Sequence, residues 1–220
     1  MADTQSGSAK LPRSASAVHE RRLAATDYPL VAGVDEAGCG ALAGPVVAAA
    51  VVLPPNATIA HLTDSKRLSP SAREYLYRQI CQSAVCWSVA LGAPELVDQI
   101  NIYQARLWAM SEAVQQLQPA ANYVLVDGHV APPLPVPCEA VIGGDGRHRV
   151  IAAASIIAKV TRDMIMERLD TIYPDYGFVR HKGYATRVHL RAIAKHGPCV
   201  VHRRTFAPIA ASNQQQMDYS

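Results

Sequence analysis

The chain has 220 residues, half of them hydrophobic, with 21 Lys or Arg against 18 Asp or Glu and a net charge of +3. That length supports one substantial core, or a core with a small lobe, and the composition excludes an intrinsically disordered chain. Five cysteines (Cys39, Cys81, Cys86, Cys138, Cys199) show no Cys-x-x-Cys spacing, which argues against structural zinc and fits reduced thiols in a cytoplasm.

Residues 1–27 are rich in Ser, Ala and charge and have no apolar h-region. They are expected to be a disordered lead-in rather than a secretion signal. The apolar run at 30–34 then closes on Asp35 and Glu36, as a strand does when it delivers charge to the rim of a sheet. Two neighbouring carboxylates are costly to bury unless a cation holds them, so the pair points to a divalent metal. Gly38-Cys39-Gly40 follows at once, leaving bare backbone N–H groups that can approach a phosphate or a sugar hydroxyl. Two solvated acids beside an ordinary turn remain the alternative at this point.

Residues 46–53 form a strand buried on both faces, stopped by Pro54-Pro55. The run is too short to span a bilayer. It should make a hairpin with the preceding strand, with the acids near its base. A helix is expected over 69–84, with Ser69 as cap and Pro70 in its first turn, then a strand over 85–91. A helical pattern runs over 95–117 at spacings of three and four. The strand at 121–126 ends on Asp127 and repeats the logic of Asp35. A proline-rich link at 132–137 leads to a short strand at 139–142, and Asp145 lies in a glycine loop entering a helix near 151. Strands early and helices late give an α/β fold, with a core over 28–150, a helical portion over 151–211 continuous with that core and a polar, flexible tail over 212–220.

Two strands ending on acids bring them together if they are neighbours in one sheet. Asp35, Glu36, Asp127 and Asp145 would then supply four hard oxygen ligands, a reasonable set for two magnesium or manganese ions. Asp163 competes for the fourth place but falls mid-helix beside Arg162, which favours an ion pair. Residues 147–205 carry 12 Lys or Arg against 4 Asp or Glu, a local charge of +8 that leaves −5 elsewhere. An acidic part that cuts and a basic part that grips would suit a nucleic acid; a solvated basic helical surface explains the same split.

Long motifs in one order narrow the choice. They are residues 35–46 (Asp-Glu-Ala-Gly-Cys-Gly-Ala-Leu-Ala-Gly-Pro-Val), Asp64-Ser65-Lys66-Arg67-Leu68-Ser69, Asp127-Gly128, Gly144-Asp145, residues 151–163, and Tyr176-Gly177-Phe178 through His181-Lys182-Gly183-Tyr184. Together, from about 31 to 206, the chain resembles ribonuclease HII, the type 2 ribonuclease H family. The resemblance implies a ribonuclease H-like mixed β-sheet flanked by helices, with a C-terminal helical extension. It implies an endoribonuclease that uses Mg2+ or Mn2+, with Asp35, Glu36, Asp127 and Asp145 as both catalytic and metal-binding residues. The substrates implied are RNA–DNA hybrids and duplex DNA containing single ribonucleotides, cut on the 5′ side to leave 3′-hydroxyl and 5′-phosphate ends. A cytoplasmic monomer with no membrane association is expected.

For substrate binding the resemblance points to Gly38, Cys39 and Gly40 reading a 2′-hydroxyl through backbone amides. It makes Tyr184 a plate against the sugar at the ribonucleotide–deoxyribonucleotide junction, and Lys66 and Lys182 phosphate contacts. One departure stands out: the middle residue of the glycine loop is typically arginine in the family and is Cys39 here. A small, partly buried loop residue fits Cys39 better than a reactive thiol. His189 and His202 show no zinc spacing and are expected to be satisfied or solvated. The competing readings are a type HIII or resolvase-like nuclease on the same scaffold, and a nucleic-acid-binding protein without catalysis.

Overall fold

The computed structural model describes residues 15–207 and 209–210. Helix α1 (Val18–Ala24) precedes strands β1 (Val31–Ala37) and β2 (Val46–Val52). Helix α2 (Pro70–Ser83), strand β3 (Cys86–Gly92), helix α3 (Pro94–Gln115), and strands β4 (Tyr123–Asp127) and β5 (Cys138–Val141) follow. Helices α4 (Arg149–Ile172), α5 (Phe178–His181) and α6 (Arg187–His196) complete the order. The strands form one sheet ordered β3-β2-β1-β4-β5, antiparallel on the β3-β2-β1 side and parallel from β1 to β5. The expected mixed sheet is therefore present.

Strand alternation sorts the core onto two faces. Val31, Ala49, Val51 and Leu125 pack with Ile151, Ala154 and Ile157 of α4 and with Leu76 and Ile80 of α2. Ala32, Val34, Ala48, Ala50, Val124 and Val126 pack with Leu107, Met110 and Val114 of α3. Every residue of β2 is buried, as a strand covered on both faces requires. Gly33 is where α4 meets β1 most closely: a Cβ there would run into the backbone of Val150 and Ile151. The first turn of α4 thus rests on the middle of the sheet, next to the strand ends that carry the acids.

One expectation about the helices is corrected. The pattern over 95–117 is not one continuous helix, because Asn101 has φ 64° inside α3. Its side-chain oxygen accepts from the Gln104 amide at 3.1 Å, so it caps a second helical segment after a break. The helical portion over 151–211 runs on from the core at its start and builds a second cluster beyond it. The first part of α4 belongs to the sheet's core, whereas Met166, near its other end, packs with Tyr176, Phe178, Ile193 and Ile209 in a separate small cluster.

The disordered lead-in expected over 1–27 is corrected for its described part. Ala15 N–H donates to the Leu62 carbonyl, Ser16 N–H to Arg147, and Arg149 N–H back to Ser16. Buried Glu20 accepts from the Val150 amide at 3.3 Å. That amide lies in the first turn of α4, where backbone donors have no intrahelical partner. A carboxylate from a remote segment therefore caps α4 and favours its positive end. The composition of this stretch is polar because its bonds are polar, which is why its lack of apolar periodicity misleads. Residues 1–14 and the tail at 212–220 lie outside the described residues.

Candidate active site

β1 and β4 are parallel neighbours with Val34 opposite Val126, so Asp35 and Asp127 each lie one residue past a paired position. Asp145 arrives from the short turn Gly144–Gly146, just ahead of α4. Asp127 Oδ1 accepts the Gly144 amide at 2.7 Å, tying that turn to the end of β4. Asp35, Asp127 and Asp145 each present a ligand atom within 4.8 Å of the others. Burial, with Glu36 and Asp127 close by, raises the Asp35 carboxyl well above the usual range. Burial, then Asp127 and Asp64, push Asp145 up to about 6. Three carboxylates that resist sharing one buried space fit a hard divalent cation, whose charge removes the repulsion.

Glu36 stands apart from this triad. β1 continues through Ala37 against β2, with Asp35 opposite Ala49 and Glu36 opposite Ala48. Adjacent strand residues face opposite sides, so Asp35 faces α4 and Glu36 faces α3. There Glu36 Oε1 accepts from Arg106 of α3 at 3.2 Å and from the Cys39 thiol at 3.5 Å. Burial and then Glu36 push that thiol up to about 12, so Cys39 is a neutral loop residue. Asp163 forms the ion pair expected of it, with Lys159 Nζ at 2.6 Å and Arg73 at 3.7 Å.

Asp35 joins the triad to a cleft of about 400 Å³ whose lining includes Asp35, residues 36–40, Lys66, Lys159 and Tyr184. Burial acts to lower the Lys66 ammonium, but Asp35, Asp145, Asp64 and Asp127 outweigh it, and its pKa lies above the ordinary lysine value. Asp64 was missed from sequence as a member of this charge cluster; its place two residues before Lys66 in the same motif was the available signal. Tyr184 is 39% exposed with its ring over the Arg162 guanidinium at 5.4 Å, so it can receive a ligand on its outer surface. Lys182 does not line the cleft: its Nζ is held by Glu167 at 2.7 Å, and its backbone takes φ 52° to offer a carbonyl to Arg162.

Two fully buried arginines, Arg162 and Arg203, shape the glycine loop and were also missed. Arg203 donates to the carbonyls of Gly38, Cys39 and Gly44, and Arg162 to those of Ala43 and Pro45. With those carbonyls drawn inward, the amides of Cys39 and Gly40 have no partner among the described residues. Burial lowers the Arg203 pKa, to about 10, and it stays charged at neutral pH.

Behind Tyr184 lie three buried histidines. His189 Nδ1 donates to the Tyr184 carbonyl at 3.0 Å, His202 Nε2 to His189 Nε2 at 3.0 Å, and His202 Nδ1 accepts the Cys199 amide at 3.0 Å. His181 Nε2 donates to the Tyr176 carbonyl and its Nδ1 accepts from Gly183. This set satisfies every ring nitrogen with all three imidazoles neutral. Burial lowers His189 and His202 to about 4. A neutral base held below its unfolded value of 6.5 stabilises the fold above that pH and loses this as pH falls toward 4. The two histidines are therefore expected to withdraw a few kcal/mol of stability between pH 6.5 and 4, partly offset as the raised Asp35 and Asp145 carboxyls take up protons, and the melting temperature of His189→Gln should fall less than that of wild type over this range.

Residues 32–209 match the family model described as ribonuclease HII. A ribonuclease HII of Xanthomonas axonopodis pv. citri is 48% identical over 214 residues, covering 96% of this chain and 88% of its own length. That of Dichelobacter nodosus is 52% identical over 182 residues, covering 83% and 96%. The crystal structure of the ribonuclease H2 from Pyrococcus horikoshii OT3 superposes with a TM-score of 0.72 at 27% identity, covering 84% of this chain and 98% of that one. By fold, acidic triad and relatives together, the chain belongs to the ribonuclease HII family.

Proposed function

We propose that this protein hydrolyses the RNA strand of RNA–DNA hybrids and cuts on the 5′ side of single ribonucleotides in duplex DNA, leaving 3′-hydroxyl and 5′-phosphate ends. The observation that carries this reading is the convergence of Asp35, Asp127 and Asp145 beside a glycine loop with free amides. Those three carboxylates would hold Mg2+ or Mn2+, with Glu36 joining from the other face of β1. When bound, such cations activate water as a nucleophile and neutralise charge at the phosphate. Lys66, already surrounded by carboxylates, keeps its charge and would meet a non-bridging phosphate oxygen.

Selection of the sugar divides between two elements. The Cys39 and Gly40 amides donate to a 2′-hydroxyl, a group that DNA lacks. Tyr184, braced by Arg162 below and by His189 at its carbonyl, packs on the following deoxyribose. Tyr184→Ala is expected to lose about ten-fold in cleavage of a single embedded ribonucleotide, the low end of what stacking contacts supply. Cys39→Ala, which keeps the amide, should be mild. The test is cleavage of a DNA duplex containing one ribonucleotide, with product ends mapped. Ends other than 3′-hydroxyl and 5′-phosphate, or no cut beside the ribonucleotide, would refute the reading.

A further inference from the structure

A cation beside the strand ends on the α3 side of the sheet, Arg106, is one that the sequence motifs do not single out. Arg106 lies in the segment of α3 that restarts after Asn101. Its Nη1 donates to Glu36 Oε1 at 3.2 Å, and the guanidinium sits 5.4 Å over the Tyr103 ring. A Cβ built on Gly128, the residue after Asp127, would stand 4.0 Å from the same Nη1. One guanidinium therefore touches the neighbourhoods of both strand ends that deliver Asp35 and Asp127. It remains 21% exposed, and one of its five N–H donors is engaged by Glu36.

The electrostatics of the cleft give this cation a task. Asp35, Glu36, Asp127, Asp145 and Asp64 repel a phosphate backbone. On the α4 side Lys66 offsets them, while Lys159 is already committed to Asp163 at 2.6 Å. On the α3 side Arg106 is the cation paired with Glu36. A planar fork with unused donors suits the non-bridging oxygens of a phosphate better than a point charge does. Cys39 and Arg106 also meet at a single atom, since the thiol stands 3.5 Å from the same Glu36 Oε1. The side chains of residues 39 and 106 therefore converge on one carboxylate, from the loop and from α3.

We propose that Arg106 is a substrate-binding residue, which holds a backbone phosphate of the hybrid at the α3 rim of the cleft while bracing Glu36. The proposal rests on the functional reading above. It is tested by measuring hybrid binding against salt in EDTA, where no cleavage intervenes. Each phosphate contact contributes about 0.9 to the magnitude of the log–log slope on B-form duplex. Arg106→Ala is expected to reduce that magnitude by about one. Arg106→Gln, which keeps a donor for Glu36 but no charge, should do the same even if the alanine variant is unstable. Adding Cys39→Arg to Arg106→Gln should restore the lost slope. An unchanged slope in Arg106→Gln, or a failure of Cys39→Arg to restore it, would overturn the proposal and leave Arg106 as a brace for Glu36. Wild-type protein separates the two claims: if it does not cleave hybrids with Mg2+ or Mn2+, the functional reading fails, whereas wild-type cleavage with an unaltered Arg106→Gln slope defeats this inference alone.

Discussion

Asp127→Asn is expected to stop cleavage while leaving the fold as stable as before or more so. The carboxylate contributes one of three oxygens that converge within 4.8 Å, and the amide keeps an oxygen for the Gly144 N–H that Oδ1 now accepts at 2.7 Å. The turn carrying Asp145 should therefore stay in place. Losing a ligand carboxylate removes several kcal/mol of transition-state stabilisation, which corresponds to about a thousand-fold or more in rate. It also removes a negative charge that raises both Asp35 and Asp145. Activity should thus collapse with no fall in melting temperature, a pairing that misfolding cannot produce. Binding of a hybrid, carried mainly by phosphate contacts, should persist. Turnover near wild type would remove Asp127 from the site.

Deleting residues 1–25 should destabilise the protein substantially relative to a truncation that begins at Ala15. The longer deletion removes three backbone hydrogen bonds and the Glu20 carboxylate that caps α4. Each bond contributes about 1 kcal/mol and a cap about the same, so a loss of roughly 3–4 kcal/mol is expected. For a domain of this size that lowers the melting temperature by about 10 °C. The first turn of α4 lies directly after Asp145, so activity should fall below the unfolding temperature as well. Thermal denaturation of the two truncations checks this; equal melting temperatures would show that the segment contributes no stability. Glu20→Gln should reproduce part of the loss.

The parts of the site legible in sequence were those encoded locally. Apolar runs ending in Asp35 and Asp127 give strand ends, and their parallel pairing through Val34 and Val126 supplies the convergence. Glu36 was harder because its partner depends on where β1 stops. A strand ending at Val34 leaves both acids in a loop, free to point one way, whereas pairing through Ala37 sends them to opposite faces. Arg162 and Arg203 read as part of a basic surface, yet both are buried against carbonyls of the glycine loop more than a hundred residues away in sequence. Lys182, suggested by its motif as a phosphate contact, sits at an ion pair with Glu167 rather than in the lining of the cleft, a placement set by packing that its motif does not encode. Residues 15–20 act through hydrogen bonds and one capping carboxylate, features that leave no hydrophobic period to read.

The most direct test of the account is calorimetric titration of the purified protein with Mn2+, run alongside cleavage of an RNA–DNA hybrid at the same metal concentrations. Mn2+ should bind wild type saturably, with cleavage appearing over the same concentration range, and Asp127→Asn should lose both. Cleavage at the wild-type rate in EDTA, or undiminished Mn2+ binding by Asp127→Asn, would contradict the assignment of Asp35, Asp127 and Asp145 as the metal site.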